Sequence, residues 1–456
     1  MKRIILLITV SLNYSCQDTV IDNNDHFIES ISSIPEYAQR ESGDPVKGKN
    51  YLLYGDYISS GFPYDFFLSN FPSTTENALN RSGNSAVIPF SFNAVKARNG
   101  IDIVAPNCFQ CHAQYLNGEF MLGLGNYDSD YTFDQSLTLT FSDQAIASEY
   151  GNPSLEWSAY EPFSKASKVV APYLVTEVKG VNPADKLTAV LGAHRNPENL
   201  EWVEEALYDI PAGLIPTDVP ALWLMKKKNA LYYTGSGRGD HARLITLAEI
   251  LTMPDTAKAR EVDHDFTDVY AFLESIEPPL FPESIDSEKA SKGEMLYNDH
   301  CAKCHGADIY PNYLVDVDYV GTDPELAKAN FAYVDFLNWY NGSWYNQGIN
   351  KAYFEKTEGY VAPPLDGIWA TAPYLHNGSV PDLESLLNSA TRPEYWKRRE
   401  TYNMEKVGWD YIVYSATAGT TIYDTKKKGY SNKGHSYGDV FNATERSQII
   451  EYLKTL

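Results

Sequence analysis

Cys108-Phe109-Gln110-Cys111-His112 and Cys301-Ala302-Lys303-Cys304-His305 are two stretches of one form. Two thiols three residues apart can form thioethers with the two vinyl groups of a haem, and a histidine directly after the second thiol reaches the iron from the proximal side. Each stretch therefore reads as a covalent haem c attachment site. A single chance match is an event on the order of one in a thousand for this composition, so two are remote. Paired C-x-x-C motifs also build zinc ribbons. That reading leaves His112 and His305 unexplained and needs its cysteine pairs much further apart than ribbons place them.

The chain has 456 residues, enough for two or three domains, and 13% aromatic content argues against disorder. Its formal net charge of −23 excludes nucleic acid as a natural partner and disfavours anionic lipid surfaces. An acidic surface attracts a basic redox partner, or simply keeps the protein in solution.

Residues 1–15 have the layout of a secretory signal: Lys2 and Arg3, then an apolar run from Ile4 to Val10. That run is too short to span a bilayer. Ser15-Cys16 follows as in a bacterial lipoprotein cleavage site, although Leu12 lies four residues before the cysteine and Tyr14 is bulky. Four of the five cysteines are committed to haem, which leaves Cys16 for lipidation and none for a disulfide. The expected location is the periplasm or the cell surface, with the lipid anchor as the membrane contact.

Residues 16–84 read as a tether followed by a segment that wraps onto the body, residues 85–280 as an N-terminal haem c domain, and residues 281–456 as a C-terminal cytochrome c domain. Pro278-Pro279 mark the boundary within residues 277–283. Helical spacing predicts a helix from Asp265, as the cap, to Ile276, with Phe266, Val269, Tyr270 and Leu273 inward. A second helix follows the cap Asp286, with Ala290, Gly293, Leu296 and Tyr297 on one face. Gly293 would admit another backbone there. A last helix begins at Asn442-Ala443-Thr444-Glu445, an approximate capping box, and carries Ile449, Ile450, Leu453 and Leu456. The expected fold is mainly α: two cytochrome c-like haem domains with long irregular loops.

The sixth position on each iron decides the chemistry: two protein ligands suit electron transfer, and an open position binds small molecules. Beyond the motifs the histidines are His26, His194, His241, His264, His300, His376 and His435. His435 stands in a glycine-flanked loop, Gly434 to Gly438, that can approach a flat macrocycle. His376 stands in a loop before a helix that Ser379 can cap. Met404 is an alternative ligand, Met295 reads as core, and Met121 is too near His112 to cross to the other face. Nothing distal stands out for the first haem.

The segment from Gly359 through Trp369 to Pro381 resembles the C-terminal domain of the diheme cytochrome c peroxidase superfamily. Asp218 to Lys228, continued as Gly235 to Arg243, is most similar to the branch containing the diheme rubber oxygenase. The resemblance covers roughly residues 85 to 456. It implies that the second haem is held by His305 and His435, that the first keeps an accessible face, and that a tryptophan lies between them, here matched by Trp223. From the peroxidase branch it implies calcium held by backbone oxygens of the loop containing Thr371 and Pro373, and oxygen ligands suit calcium. Arg238, Asp240, His241 and Arg243 could serve at the haem junction or form a structural ion-pair cluster. Lys226 to Lys228 could contact propionates or form a solvated turn. The chain lacks the C-terminal methionine loop of a His/Met peroxidase.

These readings converge on an exported, lipid-anchored diheme c-type cytochrome that acts as a haem-dependent oxidoreductase. It would use dioxygen or peroxide, an organic substrate and a redox partner protein or small electron donor. The alternative is an electron carrier with both haems six-coordinate.

Overall fold

The computed structural model describes residues 27–71, 76–307, 309–417 and 419–456. The signal region, Cys16 and His26 lie outside the described residues. Among those described, no helix is long and apolar enough to cross a membrane.

The architecture is mixed α/β rather than mainly α, with 41% helix and 14% strand spread over several small sheets. Most strands have only two to six residues, too few for a period-two pattern to show above the surrounding Tyr, Pro and Gly. The central helix is Thr256–Glu274. It starts well before Asp265, because Asp255 accepts from the Lys258 amide at 2.9 Å and caps it. Its inward face includes Ala259, Val262, Phe266, Val269, Tyr270 and Leu273. Each large apolar side chain so buried stabilises the fold by about 1.5–3 kcal/mol. The helix Pro45–Tyr54 lies along it so closely that a side chain at Gly48 would strike the backbone of Asp268.

The helix Ser287–His300 leads into the second motif and is capped by Asp286, which accepts from the amides of Glu288 and Lys289. It crosses the final helix, Ala443–Leu453, at Gly293, where a Cβ would meet the carbonyl of Gln448. The capping box of Asn442 and Glu445 is present, and Ile449, Ile450 and Leu453 are buried. Met295 is not core: it sits on the outer face of its helix, 63% exposed.

Three antiparallel strands, Ile31–Ser33, Tyr313–Asp316 and Gly359–Val361, form one sheet with the middle strand from residue 313. Thus the start of the described chain is bound to the region after the second motif. Gly237–Gly239 pairs with Ala352–Phe354. Nearby, Trp339 donates to the Arg195 carbonyl at 2.7 Å and the Arg243 guanidinium lies 4.1 Å from the Trp344 ring centre. Residues 334–354 therefore pack on the part of the chain before residue 277.

Candidate functional site

The second motif opens into a largely apolar cavity of about 1590 Å³ of empty space, its open mouth included. Cys301, Cys304 and His305 line one side, His435 and Tyr437 another, and Ile449 and Leu453 of the final helix a third. The His305 Nδ1–H donates to the Pro363 carbonyl at 2.8 Å, which leaves Nε2 as the free nitrogen. The ring centres of His305 and His435 are 6.1 Å apart. Two imidazoles sharing one metal need about 6 Å, given a metal–nitrogen bond of about 2 Å and about 1 Å more to each ring centre.

The loop carrying His435 is held from behind. Its amide donates to the Val320 carbonyl at 2.8 Å, and Arg392 donates to the carbonyls of Gly434 at 2.6 Å and His435 at 3.0 Å. Gly434 passes against the backbone of Gly321 and Thr322 with a φ of 73°, room that only glycine has. Burial, reinforced by His305 and Arg392, pushes the His435 imidazole down to about 3. Burial likewise lowers His305. Both are therefore neutral near pH 7 and able to donate a lone pair.

The first motif forms a single helical turn, Phe109–His112, followed at once by the hairpin Ala113–Leu116 and Glu119–Leu122. Met121 lies in that hairpin. His112 rests against the Pro220 carbonyl without closing a hydrogen bond, and burial lowers it to about 4. Among the described residues no aromatic or imidazole ring pairs with His112 as His435 pairs with His305. The Asn182 amide reaches the Cys111 sulfur at 3.4 Å, and Cys108 Sγ lies 3.6 Å from Glu249 Oε1. Glu249 is buried, and that burial raises its carboxyl to about 8.

Trp223 is 1% exposed, and its stretch is hydrogen-bonded to segments that follow each motif. The Gly123 amide bonds the His112 carbonyl, and the Gly123 carbonyl accepts from Leu222, both at 2.9 Å. The Trp223 Nε1–H then donates to the Asp366 carbonyl at 2.8 Å, three residues beyond Pro363. Lys227 clasps the Asp366 carboxylate at 2.6 Å and Lys226 pairs with Glu277 at 2.8 Å. Lys228 instead lines the cavity, where burial lowers its ammonium to about 8.

The Arg238–Arg243 segment resolves as an ion-pair cluster. Arg243 and Arg40 both grip Asp263 at 2.6 Å, and Arg40 also pairs with Asp240 at 2.9 Å. His241 is buried with Nε2 unpartnered. His376 stacks on Tyr360 with ring centres 4.2 Å apart and lines the cavity. His300 meets Phe441 edge-on, His194 stacks on Trp202, and His264 is exposed. Met404 packs at the margin of the core. Thr371 and Pro373 line the same cavity, with the intervening Ala372 carbonyl taken by the Trp409 indole. Among the described residues no group of three or more His, Cys, Asp or Glu side chains converges. Calcium there would rest on carbonyl and hydroxyl oxygens.

Sequence reasoning missed Glu249, Asp218 and a repeated turn. Leu231 bridges to Gly237 and Tyr374 to Val380, each closing a turn with left-handed residues at matching places. These are Tyr232 and Gly235 at φ 67° and 61°, and Leu375 and Gly378 at 68° and 66°. Tyr233 and His376 occupy equivalent places, with ring centres 6.3 Å apart. The signal in sequence is a shared Gly-Ser.

Residues 359–397, which include Pro363, Thr371 and His376, match the family model described as RoxA-like, cytochrome c-like. The chain is also 30% identical over 308 residues to a Sinorhizobium fredii protein named "Uncharacterized protein y4iM", covering 58% of this chain and 70% of that protein. The chain belongs to the y4iM family. A second Sinorhizobium fredii protein, "Uncharacterized protein y4iJ", is 28% identical over 250 residues, 40% of this chain and 41% of the relative. The RoxA-like match supports a relationship of this y4iM-family chain to RoxA-type cytochromes and points to haem c as its cofactor.

Proposed function

We propose that the chain is an exported diheme c-type cytochrome acting as a haem-dependent oxidoreductase, with one haem catalytic and the other electron-transferring. Cys108, Cys111 and His112 would hold the first haem, and Cys301, Cys304, His305 and His435 the second. The observation that carries the reading is the asymmetry between the histidines. His305 has His435 opposite it at 6.1 Å, whereas no comparable ring contact is found for His112 among the described residues.

When bound, haem supplies reversible one-electron chemistry and, where a coordination position is free, affinity for dioxygen or peroxide. The chain's own residues do the rest. Pro363 fixes the His305 tautomer through Nδ1–H. Arg392 holds the His435 loop in place. Lys228 offers an ammonium to a propionate inside a cavity where an uncompensated cation is costly. Glu249 would hold a proton beside Cys108, whose thiol hydrogen would pass to a vinyl carbon as the thioether formed. Trp223 fills the span between the two proximal loops and is the natural relay. Export with lipidation at Cys16 completes the proposal.

The test is the absorption and electron paramagnetic resonance spectrum of the haem-loaded protein, repeated after reduction under carbon monoxide. One low-spin haem and one that binds carbon monoxide support the oxidoreductase. Two low-spin haems that both ignore carbon monoxide replace it with an electron carrier.

A further inference from the structure

The cavity behind His435 is lined by five basic residues against three acidic ones, Asp323, Glu325 and Glu394. This is a local excess of positive charge in a protein whose net charge is −23. Arg392, Lys426, Lys427, Lys428 and Lys433 converge on one polar, solvent-open cavity of about 1040 Å³. Strand pairing brings them together: Tyr423–Asp424 lies against Tyr395 and Trp396 of the strand Tyr395–Asn403, so the lysines after residue 424 emerge beside the start of that strand.

The cavity and the histidine loop share a wall. Arg392, which lines the cavity, donates to the carbonyls of Asn432, Gly434 and His435 at 2.7, 2.6 and 3.0 Å. The imidazole of His435 therefore faces the interior while its own backbone backs the basic pocket. The lysines remain available at the surface. Lys426 pairs with Glu394, Lys427 with Glu177 at 2.6 Å and Lys428 with Glu325 at 3.1 Å. Such exposed pairs are weak and exchange readily with incoming carboxylates. Lys428 is 79% exposed, and the Lys433 ammonium has no ion pair among the described residues.

We propose that this basic pocket is the docking face for an acidic electron-carrier protein that exchanges electrons through the His435 side of the second haem. The inference rests on the reading of His305 and His435 as ligands of one haem. It reverses the partner expected from net charge, which is a basic one. An acidic carrier is repelled by most of the molecule and attracted here, so the field selects its orientation as well as its approach.

The experiment uses the full haem-loaded protein and follows reduction of the low-spin haem anaerobically at pH 7, with flavodoxin hydroquinone as the acidic carrier and the neutral semiquinone of lumiflavin as an uncharged small control. The flavodoxin rate should fall steeply with salt, and at least tenfold in the Lys428→Glu/Lys433→Glu variant, while the lumiflavin rate stays constant. The Lys428→Gln/Lys433→Gln variant should be intermediate. A flavodoxin rate indifferent to salt and to both variants overturns the docking face alone. Absence of a six-coordinate low-spin haem from the unmodified protein's spectrum overturns the ligand reading and the docking face with it.

Discussion

The indole nitrogen of Trp223 donates to the backbone oxygen of Asp366 at 2.8 Å, and this bond joins the loop behind His112 to the loop behind His305. Gly367, next in the chain, approaches the same indole so closely that a Cβ would lie 3.1 Å from Nε1. The tryptophan is thus fitted closely to its neighbour.

Trp223→Phe keeps an aromatic ring but leaves the part-buried Asp366 carbonyl without its donor. The expected cost is about 1–3 kcal/mol of stability. Both haems should still load, and electron transfer between them should slow in rapid-reaction absorption traces. Equal rates would return Trp223 to a purely structural role.

His435→Ala should convert the low-spin haem to a high-spin one that binds carbon monoxide, leaving the other haem's spectrum unchanged. An unaltered low-spin signal would remove His435 from the ligand set.

Glu249 keeps its proton to about pH 8 in the fold, whereas an unfolded glutamate releases it near the ordinary value of 4.5. Between those limits the native state binds more protons than the unfolded chain, so this group's contribution to stability falls as pH rises. Each pH unit is worth up to about 1.4 kcal/mol. Glu249→Gln removes the slope. Its denaturation midpoint should exceed that of the unmodified protein at pH 8, with the gap closing towards pH 5.

Gly293→Ala drives a methyl group into the Gln448 carbonyl where the helices Ser287–His300 and Ala443–Leu453 cross. The expected loss is about 1–3 kcal/mol in thermal unfolding. Gly342→Ala, where nothing lies within 4 Å of the added carbon, should stay within about 0.5 kcal/mol.

Helix faces were the legible part of the chain. The stripe Phe266, Val269, Tyr270, Leu273 is buried, Asp286 and Asn442 cap their helices, and Gly293 admits a second backbone, because each depends on residues within a few turns. The helix around Phe266 starts earlier than its stripe suggests, because in Lys258 to Asp265 only Ala259 and Val262 continue the apolar face among charged neighbours. The sheets escaped notice because a two- or three-residue strand carries no periodic signal and its partner lies elsewhere in sequence. At the site, the two C-x-x-C-H stretches and the glycine-flanked loop of His435 are local features of the sequence, and the structure brings the His435 ring to 6.1 Å from that of His305. Glu249 and Asp218 could not, since burial alone gives a carboxyl its unusual proton affinity and burial is a property of the fold. Asp218 illustrates this: it reaches Tyr233 at 3.5 Å, and burial raises it to about 8.

The pairing of Ile31–Ser33 with Tyr313–Asp316 has a kinetic side. Strands that meet across most of the chain close late, because a long loop must first lose its freedom, and topologies dominated by such contacts fold slowly. Until that sheet assembles, the strand Gly359–Val361 has an incomplete neighbour, and the Pro363 carbonyl that orients His305 is not yet anchored. Val315, Tyr360 and Val361 of this sheet line the cavity together with Cys301 and Cys304, so the wall of that cavity is completed only when segments far apart in the chain have met.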